Sequence, residues 1–324
     1  MLIFRSLQEI PPDFGPSRAS IVTIGNFDGV HRGHQSVLKE LVERARQRKA
    51  RAVAVTFEPH PARILRPQQP MQLITPPEQK LHLLRATGID ATLALPFTQE
   101  LSQLSAMEFA QTVLCDALQA IEVHEGENFR FGRDASADIA TLAALGADFG
   151  FTVHAHPAQV WRGIPISSSR IRIAIQQGDM RTARQLLGRP FAIQSTPVAG
   201  RGYGSRHTVP TINLAPYTEL LPGNGVYITC MQVGGECFEA VSNVGNRPTF
   251  GANSFAVESH LLNFHPIALE ETTPLTLHFL DRIRAEARWA SAEALKAQIV
   301  RDVARAKHYF ALWNAQRSPH TQPR

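Results

Sequence analysis

The first half of the 324-residue chain alternates short apolar segments with segments of helical spacing. The apolar segments are "SIVTIG", "RAVAVTFEP", "DATLALPF", "AIEVHEGENF" and "FTVHAHP", and helical spacing recurs over residues 31–49, 76–87, 105–120 and 134–148. Strand–helix alternation predicts a parallel sheet with helices on both faces. In such sheets ligands collect outside the carboxyl ends of the strands.

The composition changes near residue 190. From there to residue 282 the chain is rich in Gly, Pro, Thr and Val, with the short alternating runs "FAIQSTPVAG", "TINLAP", "GVYITCMQV", "ECFEAVSNVG", "SFAVESHLLNF" and "PLTLHFLDRIR". This pattern predicts a small antiparallel barrel or sandwich. Ser291 is the expected N-cap of a closing helix with apolar Leu295, Ile299 and Val303, and residues 315–324 are expected to form a frayed tail.

The bulk properties indicate a globular chain of two domains, because 324 residues exceed the usual size of one core. No apolar run approaches the roughly 18 residues of a membrane span, and the N-terminus is apolar too briefly for a signal peptide. A net charge of +5 suits phosphate-bearing small molecules as well as nucleic acid and does not by itself decide between them. No arginine-rich tract with interleaved aromatics is present, so we expect no nucleic-acid partner.

The three cysteines are Cys115, Cys230 and Cys237. If Gly234 and Gly235 form a two-residue hairpin turn, Cys237 faces Gln232 and lies only diagonal to Cys230. Diagonal strand neighbours are usually too far apart for an easy disulfide. We therefore expect free thiols and a reducing cytoplasm.

The stretch "TIGNFDGVHRGHQ" places two histidines directly after a glycine-punctuated turn. On a helix starting near Val30, His31 and His34 share a face at the end that attracts anions. Gly25 and Gly29 allow close backbone approach to a ligand. Imidazoles here suit a nucleotide triphosphate whose phosphorus gains charge during displacement. The plainer alternative is a turn with two exposed histidines, and zinc is disfavoured by the short spacing and lack of an apparent third ligand.

The segment "GNFDGVHRGH" resembles the signature of the bacterial bifunctional riboflavin kinase/FAD synthetases. Further segments match that family in the same order: "TFEPHP", "GENFRFG", "ISSSRIR", "GDMRTARQLLGRPF", "GVYI", "SNVGNRPTFG" and "VESHLLNF". The resemblance covers nearly the whole chain. It implies a Rossmann-like α/β nucleotidylyltransferase domain over residues 1–186, an antiparallel β-barrel kinase domain with a closing helix over residues 187–314, and a tail over residues 315–324.

For the first domain, the resemblance implies transfer of AMP from ATP to FMN with release of pyrophosphate, assisted by Mg²⁺. His31 and His34 would be catalytic, and the nucleotide would be bound by Gly25, Asn26, Phe27, Asp28, Gly29, Ser168, Ser169, Arg170 and Arg172. Asn128, Phe129 and Phe131 would contribute to the flavin pocket, although core packing explains the two phenylalanines equally well. No side-chain nucleophile is required, since the FMN phosphate attacks directly.

For the second domain, the resemblance implies ATP-dependent phosphorylation of riboflavin to FMN. Its expected site residues are Gly200 and Gly204 in a loop over the nucleotide, Thr211 and Asn213 as Mg²⁺ ligands, Glu258 as general base, and Arg247 near phosphate or flavin. Thr211 and Asn213 lie two apart, so in a strand they share one face. An isolated strand glutamate is usually only solvated, and the glycine loop alone is equally typical of a hairpin turn.

The sequence departs from the kinase motif in one place. Thr208-Val209 replaces the usual Gly-Phe, and Ala199 replaces a histidine. Bulk at position 208 could hinder backbone approach to ATP, which leaves an alternative with the adenylyltransferase alone and a flavin-binding or structural barrel. A non-catalytic flavin- or RNA-binding regulator, or a different nucleotidylyltransferase, explains less of the chain.

Overall fold

The computed structural model describes residues 1–12, 14, 19–69, 71–198, 211–246, 255–265 and 269–317. The chain divides into two compact units, Met1–Ser168 and Ser169–Arg324. Throughout the described residues, no helix has both the length and the apolar character needed to cross a membrane.

A parallel sheet organises the first unit. Its strands are β1 (Leu2–Phe4), β2 (Ser20–Ile24), β3 (Arg51–Glu58), β4 (Ala91–Pro96), β5 (Ala120–Gly126) and β6 (Thr152–His156), and a short hairpin adds β7 (Val160–Trp161) and β8 (Ile164–Pro165). The strand order is β1-β4-β3-β2-β5-β6, and all neighbours run parallel. The predicted parallel sheet is confirmed, with β1 as an additional strand.

The helices of this unit connect successive strands. They are α1 (Arg32–Arg48), α2 (Pro61–Leu65), α3 (Pro77–Arg85), α4 (Gln99–Ser102), α5 (Ala106–Phe109) with a π-helical continuation over Ala110–Ala117, and α6 (Ile139–Phe149). The helix predicted over residues 134–148 begins later, because Asp134 has a φ of 56° and Asp138 caps α6 by accepting from the Thr141 N–H. Gly150 ends this helix in the left-handed conformation.

Both faces of the parallel sheet are covered. Along β2, Ile21 packs in one cluster with Leu38 and Leu41 of α1. Val22 and Ile24 belong to a second cluster on the opposite face. Because side chains alternate along a strand, a strand buried on both faces reads as a nearly continuous apolar run.

The second unit contains α7 (Ser168–Gln176), which begins at the unit boundary, α8 (Met180–Leu187) and an antiparallel sheet. The strands are β9 (Phe191–Ser195), β10 (Pro197–Val198), β11 (Thr211–Leu214), β12 (Gly225–Val233), β13 (Glu236–Asn246), β14 (Phe255–Leu261) and β15 (Leu275–Ala285). Their order is β10-β11-β14-β13-β12-β15-β9. Only Thr196 separates β9 from β10 at opposite edges, so the sheet must curl back on itself, which confirms the predicted barrel architecture.

The β12–β13 hairpin corrects the cysteine prediction. Gly234 and Gly235 form the turn with positive φ, and Cys237 pairs with Gln232, as predicted. Cys230 and Cys237 are nevertheless joined in a disulfide, with 5.9 Å between their Cα atoms. That separation lies within the usual range of disulfides, so the expectation of two free thiols was wrong.

The closing helix α9 (Ala292–Arg317) begins as predicted, with the Ser291 hydroxyl accepting from the Ala294 N–H at 3.2 Å. Its buried residues include Ala306 and Phe310, which pack against β12 and β15. Leu295 and Ile299 remain 39% and 46% exposed. The helix extends three residues into the predicted tail.

Candidate active sites

The histidine pair lies where β2 ends and α1 begins. His31 is the N-cap of α1, and its Nδ1 accepts from the His34 N–H at 3.3 Å. The two rings stack, with 3.6 Å between their centroids and an interplanar angle of 15°. Burial, and secondarily the nearby His31, hold the pKa of His34 well below its ordinary value, so this ring is neutral at neutral pH.

Small residues and one aromatic ring hold this arrangement. A Cβ on Gly33 would stand 3.1 Å from Cε1 of His31, so a larger residue would displace that ring. Phe27 is buried and packs edge-on against His34, with 5.2 Å between ring centroids. A Cβ on Gly25 would meet the Phe27 ring at 3.1 Å. Phe27 therefore supports the His34 ring.

Asp28 holds the turn itself. Its buried carboxylate accepts from the backbone N–H groups of Ile74 and Thr75 at 2.9 and 3.1 Å. The Thr75 hydroxyl accepts from the Gly29 N–H at 3.0 Å. The Asn26 carbonyl accepts from the Thr56 hydroxyl at 3.3 Å. These bonds tie the turn to two neighbouring segments.

A cavity of about 430 Å³, here called the histidine cavity, opens at the carboxyl ends of β2 and β5. Its lining includes seven of the predicted site residues: Gly25, Phe27, His31, His34, Asn128, Phe129 and Ser168. The structure therefore brings half of the fourteen residues predicted for the first site together at the sheet edge where α/β proteins bind ligands.

The flavin-pocket candidates differ in their surroundings. Asn128 is exposed, and Phe129 is partly buried at the cavity wall. Phe131 is buried in the core, where its ring lies 5.4 Å from that of Phe129 and 6.1 Å from that of Phe109. Its placement matches the core-packing alternative.

The serine and arginine candidates lie at the start of α7. Ser168 is its first residue, and its hydroxyl donates to the Asp28 carbonyl at 2.9 Å. Ser169, Arg170 and Arg172 follow within the first turns of the same helix.

Glu125 was missed by sequence reasoning. It lies near the end of β5, lines the histidine cavity and is only 4% exposed. Its carboxyl accepts from the Ile24 N–H and, at 3.4 Å, from the Thr23 hydroxyl. Burial raises the pKa of Glu125 well above its ordinary value. The available signal was an acidic residue within an otherwise buried strand.

Lys80 is a second residue near the predicted site that the sequence patterns did not indicate. It is buried beside a small cavity of about 40 Å³ lined by Asn26, Asp28 and the "FEPH" segment. Its Nζ donates to the Thr56 hydroxyl at 3.0 Å and the Phe57 carbonyl at 3.3 Å. Burial lowers the pKa of Lys80 and raises that of Glu58.

The second unit carries a cavity of about 460 Å³, here called the barrel cavity. Thr211 and Glu258 line it, together with Asn243, His260, Trp289, Leu295 and Ile299. Asn213 pairs directly with Glu258 across β11 and β14, and Thr211 pairs with His260. Thr211 and Asn213 alternate with buried Ile212 and Leu214, which gives them the shared face predicted from their spacing.

A partly buried ion pair supports the helix side of the barrel cavity. Arg284 of β15 contacts Asp302 of α9 at 2.9 Å, and its guanidinium lies 5.3 Å from the centroid of the Trp289 ring. Gly200, Gly204 and Arg247, and the departures Ala199, Thr208 and Val209, lie outside the described residues.

Comparison with known proteins finds a family model in each half of the chain. A family model described as FAD synthetase matches residues 15–170, and one described as riboflavin kinase matches residues 187–310. A bifunctional riboflavin kinase/FMN adenylyltransferase of Pseudomonas fluorescens is 36% identical over 312 residues, which cover 95% of this chain and 97% of the relative. The chain belongs to the bifunctional riboflavin kinase/FMN adenylyltransferase family.

Other members of this family show the same span. The proteins of that description from Escherichia coli K12 and Listeria monocytogenes are 33% and 30% identical, covering 92% and 90% of this chain and 95% and 92% of their own lengths. The crystal structure of a macrolide-efflux protein from Streptococcus pneumoniae superposes with a TM-score of 0.83 at 26% identity, covering 94% of this chain and 98% of the other. Because both enzyme domains are present, the bifunctional prediction is confirmed over the adenylyltransferase-only alternative.

Proposed function

We propose that this chain phosphorylates riboflavin in the barrel cavity and adenylylates the resulting FMN in the histidine cavity. Family membership supports both activities, and the assignment of sites rests on geometry. The stacked His31–His34 pair, at the wall of the histidine cavity and the start of α1, is the single observation that carries it.

In the adenylyl transfer, an FMN phosphate oxygen attacks the α-phosphorus of ATP. The new P–O bond forms as the bond to the β-phosphate oxygen breaks, and pyrophosphate leaves. Nδ1 of His31 accepts a hydrogen bond, so the neutral ring carries its proton on Nε2. Both imidazoles would donate N–H groups to charge developing on the phosphoryl oxygens.

The turn and the start of α7 would bind the nucleotide. In this proposal Gly25, Asn26, Phe27, Asp28 and Gly29 shape the turn, with Asp28 acting through its bonds to Ile74 and Thr75. Ser168, Ser169, Arg170 and Arg172 would contact phosphates. Asn128 and Phe129 would contact the flavin, with Phe131 packed behind Phe129.

In the kinase reaction, the Glu258 carboxylate would accept the proton of the riboflavin 5′-hydroxyl as its oxygen bonds to the γ-phosphorus and ADP leaves. The Thr211 hydroxyl and Asn213 amide oxygen are donors of the kind that Mg²⁺ prefers, and their shared face fits such an ion. When bound, Mg²⁺ would compensate phosphate charge. Leu295 and Ile299 supply apolar surface suited to a flavin ring. Gly200, Gly204 and Arg247 keep their predicted roles toward ATP and flavin.

We further propose that the substrates are small molecules only and that the enzyme acts in the cytoplasm. The sequence has no arginine-rich tract with interleaved aromatics, which supports the absence of a nucleic-acid partner. The Cys230–Cys237 disulfide is not the only link in its hairpin, because nine residue pairs join β12 and β13.

Paired variants test both sites in one assay. Purified protein is incubated with riboflavin, ATP and Mg²⁺, and the flavins are resolved by chromatography. His31→Ala should lower FAD formation at least 100-fold, because a transition-state donor is lost, while FMN formation continues. Glu258→Ala should lower FMN formation from riboflavin, while FAD formation continues when FMN is supplied.

The activity that each variant retains is its own folding control, because that activity shows that its second site is intact. Loss of both activities in either variant would contradict two independent sites. A normal FMN-forming rate in Glu258→Ala would remove Glu258 as the base.

A further inference from the structure

A cluster of histidines and one glutamate on β5 and β6 lies next to α1 and takes no part in either proposed reaction. Glu122 and His124 lie two residues apart on β5, and His154 lies opposite His124 on β6. Glu122 and His124 are buried, and His154 is partly buried. One donor atom from each lies within 4.8 Å of the other two.

The distances match a metal site. Oε2 of Glu122 lies 3.3 Å from Nε2 of His154 and 3.6 Å from Nε2 of His124. Two ligands of a tetrahedral Zn²⁺, each about 2.0 to 2.1 Å from the ion, stand about 3.3 Å apart. Both Nε2 atoms are buried and have no hydrogen-bond partner within the described residues.

The surrounding hydrogen bonds indicate which nitrogen of His124 carries the proton. Nδ1 of His156 lies 2.9 Å from the Glu40 carboxylate, so in the neutral ring it donates to that oxygen. Nε2 of His156 then accepts from Nδ1 of His124, at 3.0 Å. This leaves a lone pair on Nε2 of His124, facing the Glu122 oxygen. Such carboxylate–histidine contacts orient metal-binding imidazoles in other proteins.

We propose that Glu122, His124 and His154 bind a divalent transition-metal ion of the Zn²⁺ class. Two imidazoles and a carboxylate suit Zn²⁺, Co²⁺ or Ni²⁺, whereas Mg²⁺ prefers oxygen ligands. A cation between the facing lone pairs removes their repulsion. The adjoining cavity of about 500 Å³, which His124, His154 and His156 help to line, provides entry and room for a water as fourth ligand.

Two arginines compete for the same carboxylate. Nε of Arg44 lies 2.8 Å from Oε2 of Glu122, and Nη2 of Arg44 and Nε of Arg48 lie 3.0 and 3.2 Å from Oε1. The metal requires Arg44 to release Oε2, whereas Arg48 can stay on Oε1. The Arg44 side chain is 38% exposed, so water can solvate it on release. Metal binding therefore requires the Arg44 guanidinium to move away from Oε2 of Glu122.

Calorimetric titration of the full-length protein with Zn²⁺, after removal of any affinity tag and of bound metal, tests the proposal. We expect one preferred site, and a visible Co²⁺ spectrum typical of tetrahedral coordination. His154→Ala should weaken Zn²⁺ binding at least tenfold. Arg44→Ala should tighten it several-fold, because the competing guanidinium is gone. His82→Ala, which removes an exposed histidine of α3, should leave the affinity unchanged.

Circular dichroism verifies folding, and Glu122→Gln replaces His154→Ala if the latter unfolds. Equal Zn²⁺ affinity in the wild type and the ligand variant would overturn the proposal, as would an equal loss in His82→Ala. Weaker or unchanged binding in Arg44→Ala would exclude Glu122 as a ligand.

Discussion

At the scale of single residues, the charge of a buried side chain depends on its packing against segments that are distant in the chain. The i, i+3 spacing of His31 and His34 is visible in the sequence. The glycines that leave room for the neighbouring rings, Gly25 and Gly33, are visible there as well. The burial of Glu125 depends on segments that are distant in the chain, and its carboxyl accepts from the Ile24 N–H of β2. A charged residue inside an apolar strand carries no mark of its protonation state, because desolvation is set by tertiary packing.

Glu125 permits a prediction about pH. Burial raises the pKa of Glu125, so above the ordinary carboxyl pKa of about 4.3 the folded chain keeps a proton that the unfolded chain has lost. Until the pH reaches the raised pKa, this lowers the free energy of unfolding by about 1.4 kcal/mol per pH unit. Glu125→Gln removes that dependence and keeps an acceptor for the Ile24 N–H. We expect the stability of Glu125→Gln relative to wild type to improve as pH rises from 5 to 8.

Urea denaturation at several pH values measures this difference, and contributions from all other groups cancel in it. Glu43→Gln, which alters a half-exposed carboxylate on α1, should track the wild type across the range. Parallel curves for Glu125→Gln and wild type would show that Glu125 is ionised.

At the scale of elements, period and turn chemistry predict most of the structure. The strands β12 and β15 lie where their alternating runs indicate, and α1 begins within two residues of the predicted position. The strand β1 has only three residues, too few to establish a period. In α9, Leu295 and Ile299 repeat as a core stripe would, yet they line the barrel cavity. Periodicity identifies an apolar face but not whether protein or ligand covers it.

The N-cap of α9 gives a prediction at this scale. Removing the hydroxyl that accepts from the Ala294 N–H leaves that donor without its cap. Ser291→Ala should lower the free energy of unfolding of the second unit by about 1 kcal/mol, measured by urea denaturation. Ser291→Asp supplies another capping oxygen and should restore it. Equal losses in both variants would exclude capping as the cause.

At the scale of the whole molecule, the histidine cavity is lined by residues of the first compact unit and the barrel cavity by residues of the second. The order of the motifs along the chain predicts this arrangement, because the histidine-pair motif lies in the first half of the chain and the kinase motif in the second. We therefore expect FMN to be released from one site and taken up at the other.

Complementation tests this exchange. His31→Ala retains the kinase site and Glu258→Ala the adenylyltransferase site, so neither alone should convert riboflavin to FAD. A mixture of the two should do so, after a lag in which free FMN accumulates in the chromatogram. Failure of the mixture, while each variant keeps its own reaction, would mean that FMN does not leave the first site.

Thr196 has a consequence for how this chain tolerates change. One residue carries the backbone from the partner of β15 to the partner of β11, so the path there has no slack. Extra residues at Thr196 would allow the two edges of the curled sheet, β9 and β10, to separate. The exposed Gly234–Gly235 tip, which joins two strands that already lie side by side, is the place where extra residues or a fused tag can be accommodated.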